Sequence, residues 1–190
     1  MDSPVAEALR AIADAFRRLG LDWYLSGAQA AILRGSRRLT EDIGVTVMAG
    51  ALRPDVLLEA CERADLRMRF APDDDFIART RVLPLVHGAS KVPVDVVLGG
   101  PGLEEHILAS AERATVAGVD LLLPTAVHLI AMKLLAGRPR DLEDSAAMAR
   151  AGAVPLDEVA ELVDEIARAI GDDRPRQALG ELRDRLDRDA

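Results

Sequence analysis

Three features of this 190-residue chain predict an α/β fold class. Stretches with helical spacing of apolar residues alternate with short β-branched runs. Residues 24–47, YLSGAQAAILRGSRRLTEDIGVTV, read as strand, Ser-Gly turn, short helix, basic loop and strand. Beyond Pro155 only helical periodicity remains. A small sheet flanked by helices should therefore occupy residues 1–123, with a C-terminal helical segment over 124–190 packed on it.

Ser3-Pro4 opens the first helix, with Ser as N-cap and Pro at the first helical position. Val5, Leu9, Ile12, Phe16 and Leu19 recur at helical spacing, and Gly20 closes the helix. Residues 21–25 form a strand carrying the only Trp and the only Tyr. Ser26-Gly27 bends the chain and leaves N–H groups free at the next helix start, where phosphate is attracted. An ordinary strand-to-helix turn has the same composition. Arg34, Arg37 and Arg38 follow on a loop, suited to a triphosphate, to an RNA end or simply to solvent.

In the second strand Ile43, Val45 and Val47 face a core, while Asp42, Gly44 and Thr46 point the other way. Residues 54–64 form an amphipathic helix with Val56, Leu57, Ala60, Cys61 and Ala64 inward. Residues 66–70 and 81–87 read as strands, with Asp73-Asp74-Asp75 between them as a solvated turn. Residues 91–99, KVPVDVVLG, are a strand with Asp95 inside an apolar run. A lone buried carboxylate is costly unless it holds a metal or pairs with an arginine. Residues 103–111 form a short helix with His106 at the surface, and 116–123 the last strand. His87, at a strand end, carries no partner signal.

Pro124-Thr125 opens a helix whose buried stripe is Val127, Ile130, Ala131, Leu134 and Leu135, with Lys133 just off it. His128 reads as a satisfied core or rim histidine. Two further helices carry Val159, Leu162, Val163, Ile166 and Ile170, then Leu179, Leu182 and Leu186. They suit a helical subdomain or a partner surface.

Composition narrows the function classes. Hydrophobic residues make up 49% of the chain and aromatics 3%, so the core is large and aliphatic. The net charge of -8 argues against an extended non-specific nucleic-acid surface, although a local basic patch is compatible with it. The single cysteine, Cys61, excludes an internal disulfide and reads as buried and inert. No apolar run approaches the roughly 18 residues of a membrane span, and no signal peptide pattern opens the chain. A cytoplasmic protein is the expectation.

The order of residues in 24–47 resembles the signature of the nucleotidyltransferase superfamily that shares its fold with DNA polymerase β. The likeness is greatest to its AbiEii-like toxin branch. There Gly-Gly, a small apolar helix, Gly, Arg, Thr and Asp-Ile-Asp follow in order. Here Ser26-Gly27, Gly35, Arg38, Thr40 and Asp42-Ile43 stand in those places, and Gly44 stands where the family carries its second aspartate. Asp95 matches the family's third acid. Met132-Lys133-Leu134, followed by Arg140-Asp141 and Asp144, resembles a second motif of the same branch. The resemblance runs from about residue 24 to about residue 145.

The resemblance implies a nucleotidyltransferase-type mixed sheet. It implies transfer of NMP from an NTP to an RNA or protein hydroxyl, dependent on Mg²⁺ or Mn²⁺, by the toxin of a toxin–antitoxin or phage-defence system with an antitoxin partner. Carried over residue by residue, Asp42, Asp95, Lys133 and Asp141 are catalytic, and Asp42 and Asp95 are the metal ligands. Ser26, Gly27, Arg38, Thr40 and Lys133 hold the nucleotide. Such transfer uses two divalent ions on the attacking and leaving oxygens, and Mg²⁺ requires anionic oxygen ligands. Two carboxylates suffice for one ion; holding both without a side chain at 44 is far harder. Glu41 faces the other way and Thr46 is neutral, so impaired activity is expected. A naturally degenerate member and a deliberately inactivated variant fit equally. The alternative is a catalytically inactive module that binds a nucleotide or a partner on the same fold. A third reading is an interaction protein that binds no nucleotide.

Overall fold

The computed structural model describes residues 3–71, 75–152 and 154–188. In chain order its elements are α1 (Pro4–Leu19), β1 (Trp23–Ser26), α2 (Gly27–Leu33), β2 (Ile43–Val47), α3 (Pro54–Arg63), β3 (Leu66–Met68), α4 (Phe76–Thr80), β4 (Val82–His87), β5 (Pro93–Leu98), α5 (Leu103–Ser110), β6 (Glu112–Val116) and β7 (Val119–Leu123). Four helices follow: α6 (Ala126–Ala136), α7 (Pro139–Gly152), α8 (Leu156–Ile170) and α9 (Arg174–Arg188). These residues form two compact units. The first runs to Gln29 and resumes from Thr40 to Pro124; the second comprises Ala30–Leu39 and the chain from Thr125 onward.

The first unit holds a seven-stranded mixed sheet in the order β3-β4-β5-β2-β1-β7-β6. β2 runs parallel to β5 and β1 parallel to β7; the other neighbours are antiparallel. Ile43, Val45 and Val47 are fully buried, as their alternation requires, but Thr46 is buried too, so β2 is covered on both faces. α1 is capped by Ser3, whose Oγ accepts from Ala6 N at 3.2 Å, and by Gly20 at φ 64°. It buries Leu9, Ile12 and Phe16, while Val5 and Leu19 are half-buried. Phe16 meets Trp23 edge-on at 5.8 Å.

In the second unit α6 is buried nearly all round, through His128, Leu129, Ile130, Ala131, Lys133 and Leu134. α8 buries Val159, Val163, Ile166 and Ala167, and α9 buries Leu179 and Leu182. Among the described residues no helix is long and apolar enough to cross a membrane.

Several boundaries differ from the sequence reading. The first strand begins at Trp23 rather than Leu21 and includes Ser26. Residues 116–123 are not one strand but the turn and second arm of a hairpin. Ala117 and Gly118, at φ 50° and 77°, reverse the chain between β6 and β7. The sequence of β6, ERATV, is mostly solvent-facing and gives little apolar signal. α4 was likewise too short to announce itself. Val56, Leu135 and Ile170, expected inward, are exposed, and Ala64, Val127, Leu162 and Leu186 are half-buried. Of the Asp73-Asp74-Asp75 run, Asp73 and Asp74 lie outside the described residues; Asp75 precedes α4.

Gly35 has φ +107°, and a Cβ added there would stand 2.3 Å from Ala151 Cβ. Gly35→Ala should therefore destabilise the chain by about 1–3 kcal/mol, through overpacking and backbone strain together. Urea unfolding of the two proteins checks this, and an unchanged midpoint would contradict the close packing of this loop on α7.

Candidate functional site

In the first unit, position 44 sits between two backbones. Gly44 is the register partner of Asp95 in the parallel β2/β5 pair and of Ser26 in the antiparallel β1/β2 pair. Ser26 is buried, and Gly27 opens α2 at φ +67°, a conformation glycine adopts without strain. A Cβ at position 44 would lie 3.2 Å from Ser26 O and 3.4 Å from Gly27 Cα. The glycine thus lets the Ser26-Gly27 turn close tightly on β2. A larger residue needs that turn to move by a few tenths of an ångström.

Asp42 lies exposed just before β2. Its N–H donates to Thr40 Oγ1 at 3.3 Å, and Thr40 O accepts from Gln29 Nε2 at 3.5 Å. Asp95 is not alone: its carboxylate accepts a hydrogen bond from the Arg69 guanidinium. The ion pair that the sequence left open as an alternative is present. Burial pushes the Asp95 carboxyl up, Arg69 pulls it down, and the charge of Asp42 pushes it up again, for a net rise above the ordinary range. Both members of the Asp95–Arg69 pair are partly solvent-exposed, at 42% and 30% of their side chains.

Two aspartates supply the hard oxygen donors that Mg²⁺ prefers. They suit one cation, taken in exchange for Arg69. Among the described residues no three acidic, imidazole or thiol side chains gather as a metal cluster, and Gly44 adds no side-chain donor to the two carboxylates.

The second unit carries a buried polar network of its own. Lys133, Asp141 and Asp144 are 7%, 1% and 3% exposed. Lys133 therefore belongs to the buried face of α6 instead of lying off it. Its Nζ donates to Asp144 Oδ2 at 2.6 Å and to Asp141 Oδ1 at 3.2 Å. Asp144 also accepts from Ser36 Oγ at 2.6 Å and from Arg38 Nη1 at 3.3 Å. Asp141 accepts from Arg138 Nε at 2.6 Å and from Arg138 N at 3.3 Å. Burial pushes both carboxyls up, but for Asp141 the Arg138 hydrogen bond and the Lys133 charge outweigh it. For Asp144 the hydrogen bonds from Lys133 and Ser36 do the same, so both sit below the ordinary range.

Three other side chains behave as structural groups. His128 Nδ1 lies 2.7 Å from Thr125 Oγ1 and His87 Nδ1 lies 2.7 Å from Ser90 Oγ. Burial pushes the Cys61 thiol up to about 12, so it is inert at neutral pH. Sequence reasoning missed Ser36, Arg69 and Arg138. Arg138 had a local cue, three residues before Asp141. Ser36 and Arg69 had none, because their carboxylate partners lie 108 and 26 residues away.

No family model matches the chain, and no curated protein matches it in sequence. Solved structures do. The solution structure of the antibiotic-resistance factor ANT(2'')-Ia aligns with TM-score 0.61 at 14% identity, over 90% of this chain and 95% of that one. The crystal structure of ANT(2'')-Ia in complex with adenylyl-2''-tobramycin gives 0.58 at 15%, over 87% and 98%. An antigenic nucleotidyltransferase-like protein from Paracoccidioides brasiliensis gives 0.54 at 16%, over 95% and 94%. The mixed sheet flanked by helices, with its helical C-terminal part, is thus the nucleotidyltransferase fold that the sequence led us to expect.

Removing the Lys133 ammonium leaves two buried carboxylates short of a partner. Lys133→Met should cost about 3 kcal/mol, read by chemical denaturation; a neutral result would mean the network is dispensable. The depressed Asp141 and Asp144 carboxyls also set a pH dependence. Their stabilisation is fully present above the unfolded-state value of about 3.9 and is lost as pH falls through their lower folded values. Asp144→Asn should flatten that acid limb in unfolding measurements from pH 6 to pH 2. An acid limb as steep as the wild type's would contradict the assignment.

Proposed function

We propose that this chain is a nucleotidyltransferase-fold protein that binds a nucleoside triphosphate at the β2/β5 end of its sheet and transfers NMP weakly or not at all. The observation that carries this reading is Gly44, register partner of Asp95, where the resembled family places a carboxylate. Ser26 and Gly27 shape the turn beside it, and Asp42 and Asp95 are the remaining acids. The adenylylated product named with ANT(2'')-Ia supports nucleotidyl chemistry on this fold. In that reaction a hydroxyl oxygen attacks the α-phosphorus, the bond to pyrophosphate breaks, and the hydroxyl proton is released. A divalent ion, when bound, supplies charge neutralisation at the phosphates. Asp42 and Asp95 would hold it, Mg²⁺ or Mn²⁺, once Arg69 releases Asp95.

The finer reading follows the AbiEii-like resemblance. The acceptor would be an RNA or protein hydroxyl, the setting the cytoplasm, and the partner an antitoxin protein. The resemblance also gives functional roles to Thr40, in the first unit, and to Arg38, Lys133 and Asp141, in the second. The burial and mutual pairing of Lys133 and Asp141 also suit a structural role. A second reading, a nucleotide-binding module without turnover, is favoured by the Arg69–Asp95 pair, which neutralises one remaining acid.

Gly44→Asp tests the proposal. A metal-ligating group is worth at least the roughly 10–100-fold of an outer-shell partner. Transfer from α-labelled NTP in Mg²⁺ should therefore rise by on the order of tenfold or more in the variant. Equal activity of the two forms would refute the reading. Calorimetric titration of the unaltered chain with NTP should still show binding, and its absence would sink both readings.

A further inference from the structure

The second unit contains a cavity of about 280 Å³ lined by Ser36, Arg37, Arg38, Arg140, Glu143 and Asp144, with Ala147 beside them. Two segments distant in sequence bring three arginines to it, on a chain whose net charge is -8. Of its two acids Asp144 is engaged, while Glu143 is exposed at the rim. Asp144 is held by Lys133, Ser36 and Arg38, and Glu143 lies 4.0 Å from Arg185. Arg38 is fixed by Asp144 and uses one N–H to do so. Arg37 and Arg140 are exposed, and no ion pair or hydrogen bond is made by their side chains among the described residues.

Arg38 is already paired with Asp144, and the like charges of Arg37 and Arg140 at the same hollow favour an anion between them. Their planar forks match phosphate oxygens two at a time. The volume sits near the lower end of ligand pockets, about 300 Å³, which suits a phosphate-bearing group and not a whole nucleotide buried on all sides. We propose that this pocket binds the phosphates of a polyanion directly through Arg37, Arg38 and Arg140, without a divalent ion. The site lies wholly within the second unit and goes beyond the reading built on Gly44. Free polyphosphate and the phosphorylated end of an RNA strand present the same chemistry to it.

The test is calorimetric titration of the full chain in EDTA with inorganic tripolyphosphate, then with a short RNA carrying a 5'-phosphate or a 5'-hydroxyl. Binding in EDTA is expected, weakened by roughly tenfold for each of Arg37→Gln and Arg140→Gln and partly kept by Arg37→Lys. Tripolyphosphate alone binding would identify a small polyphosphate as the ligand. Preference for the 5'-phosphorylated RNA would identify a strand end. No binding of either probe in EDTA, or equal binding by the Arg37→Gln/Arg140→Gln double variant, overturns the proposal. Both substitutions are at exposed positions, and circular dichroism of the variants confirms that lost binding is not lost folding. Because no metal and no transfer are involved, the outcome is independent of the Gly44→Asp assay.

Discussion

The parallel pairing of β2 with β5 is the constraint on which the first unit's candidate site depends. It sets residue 44 beside residue 95, while the antiparallel pairing with β1 sets the same residue beside Ser26. A shift of one residue would exchange the faces of β2 and bury Asp42 in place of Ile43. The buried Ile43, Val45 and Val47 resist that shift, so the register is held by apolar burial and not by the acids themselves. At this end of the sheet stand two aspartates, one guanidinium and a glycine that lets a turn pack close. Arg69 already balances one of the two carboxylates.

The second unit solves a different problem. It buries three charged side chains, Lys133, Asp141 and Asp144, and gives each several partners. Such a network contributes little net stability over an apolar core but is costly to break at any one member. It also ties loop 36–38 to α7 through Ser36 and Arg38, which holds Arg38 in place and brings Arg37 and Arg140 to one hollow. The same carboxylate, Asp144, thereby organises the packing and positions the arginines.

Much of this was legible in the residues. Periodicity gave α1, β2, α3, β4, β5 and the C-terminal helices, because each has an apolar face of the right period. The hairpin of β6 and β7 was not legible, since ERATV lies on an edge with few apolar contacts and its reversal at Ala117-Gly118 lacks a strong turn pair. The order of residues in two strands singles out positions 42, 44 and 95, and the pairing of β2 with β5 sets 44 beside 95. That Asp95 meets Arg69, or that Asp144 meets Ser36, could not be read, because those pairings are created by the tertiary fold. The burial of Lys133 is not legible for a related reason: a lysine beside an apolar stripe is usually solvated, and here two carboxylates make its burial possible.

The central claim is that the sheet end has donors for one divalent ion and not for two. It is tested most directly by the anomalous signal of Mn²⁺ in crystals grown with a non-hydrolysable NTP analogue. The account predicts at most one ion, between Asp42 and Asp95, with Arg69 displaced from Asp95 when it is present. Two ions at that sheet end would contradict it.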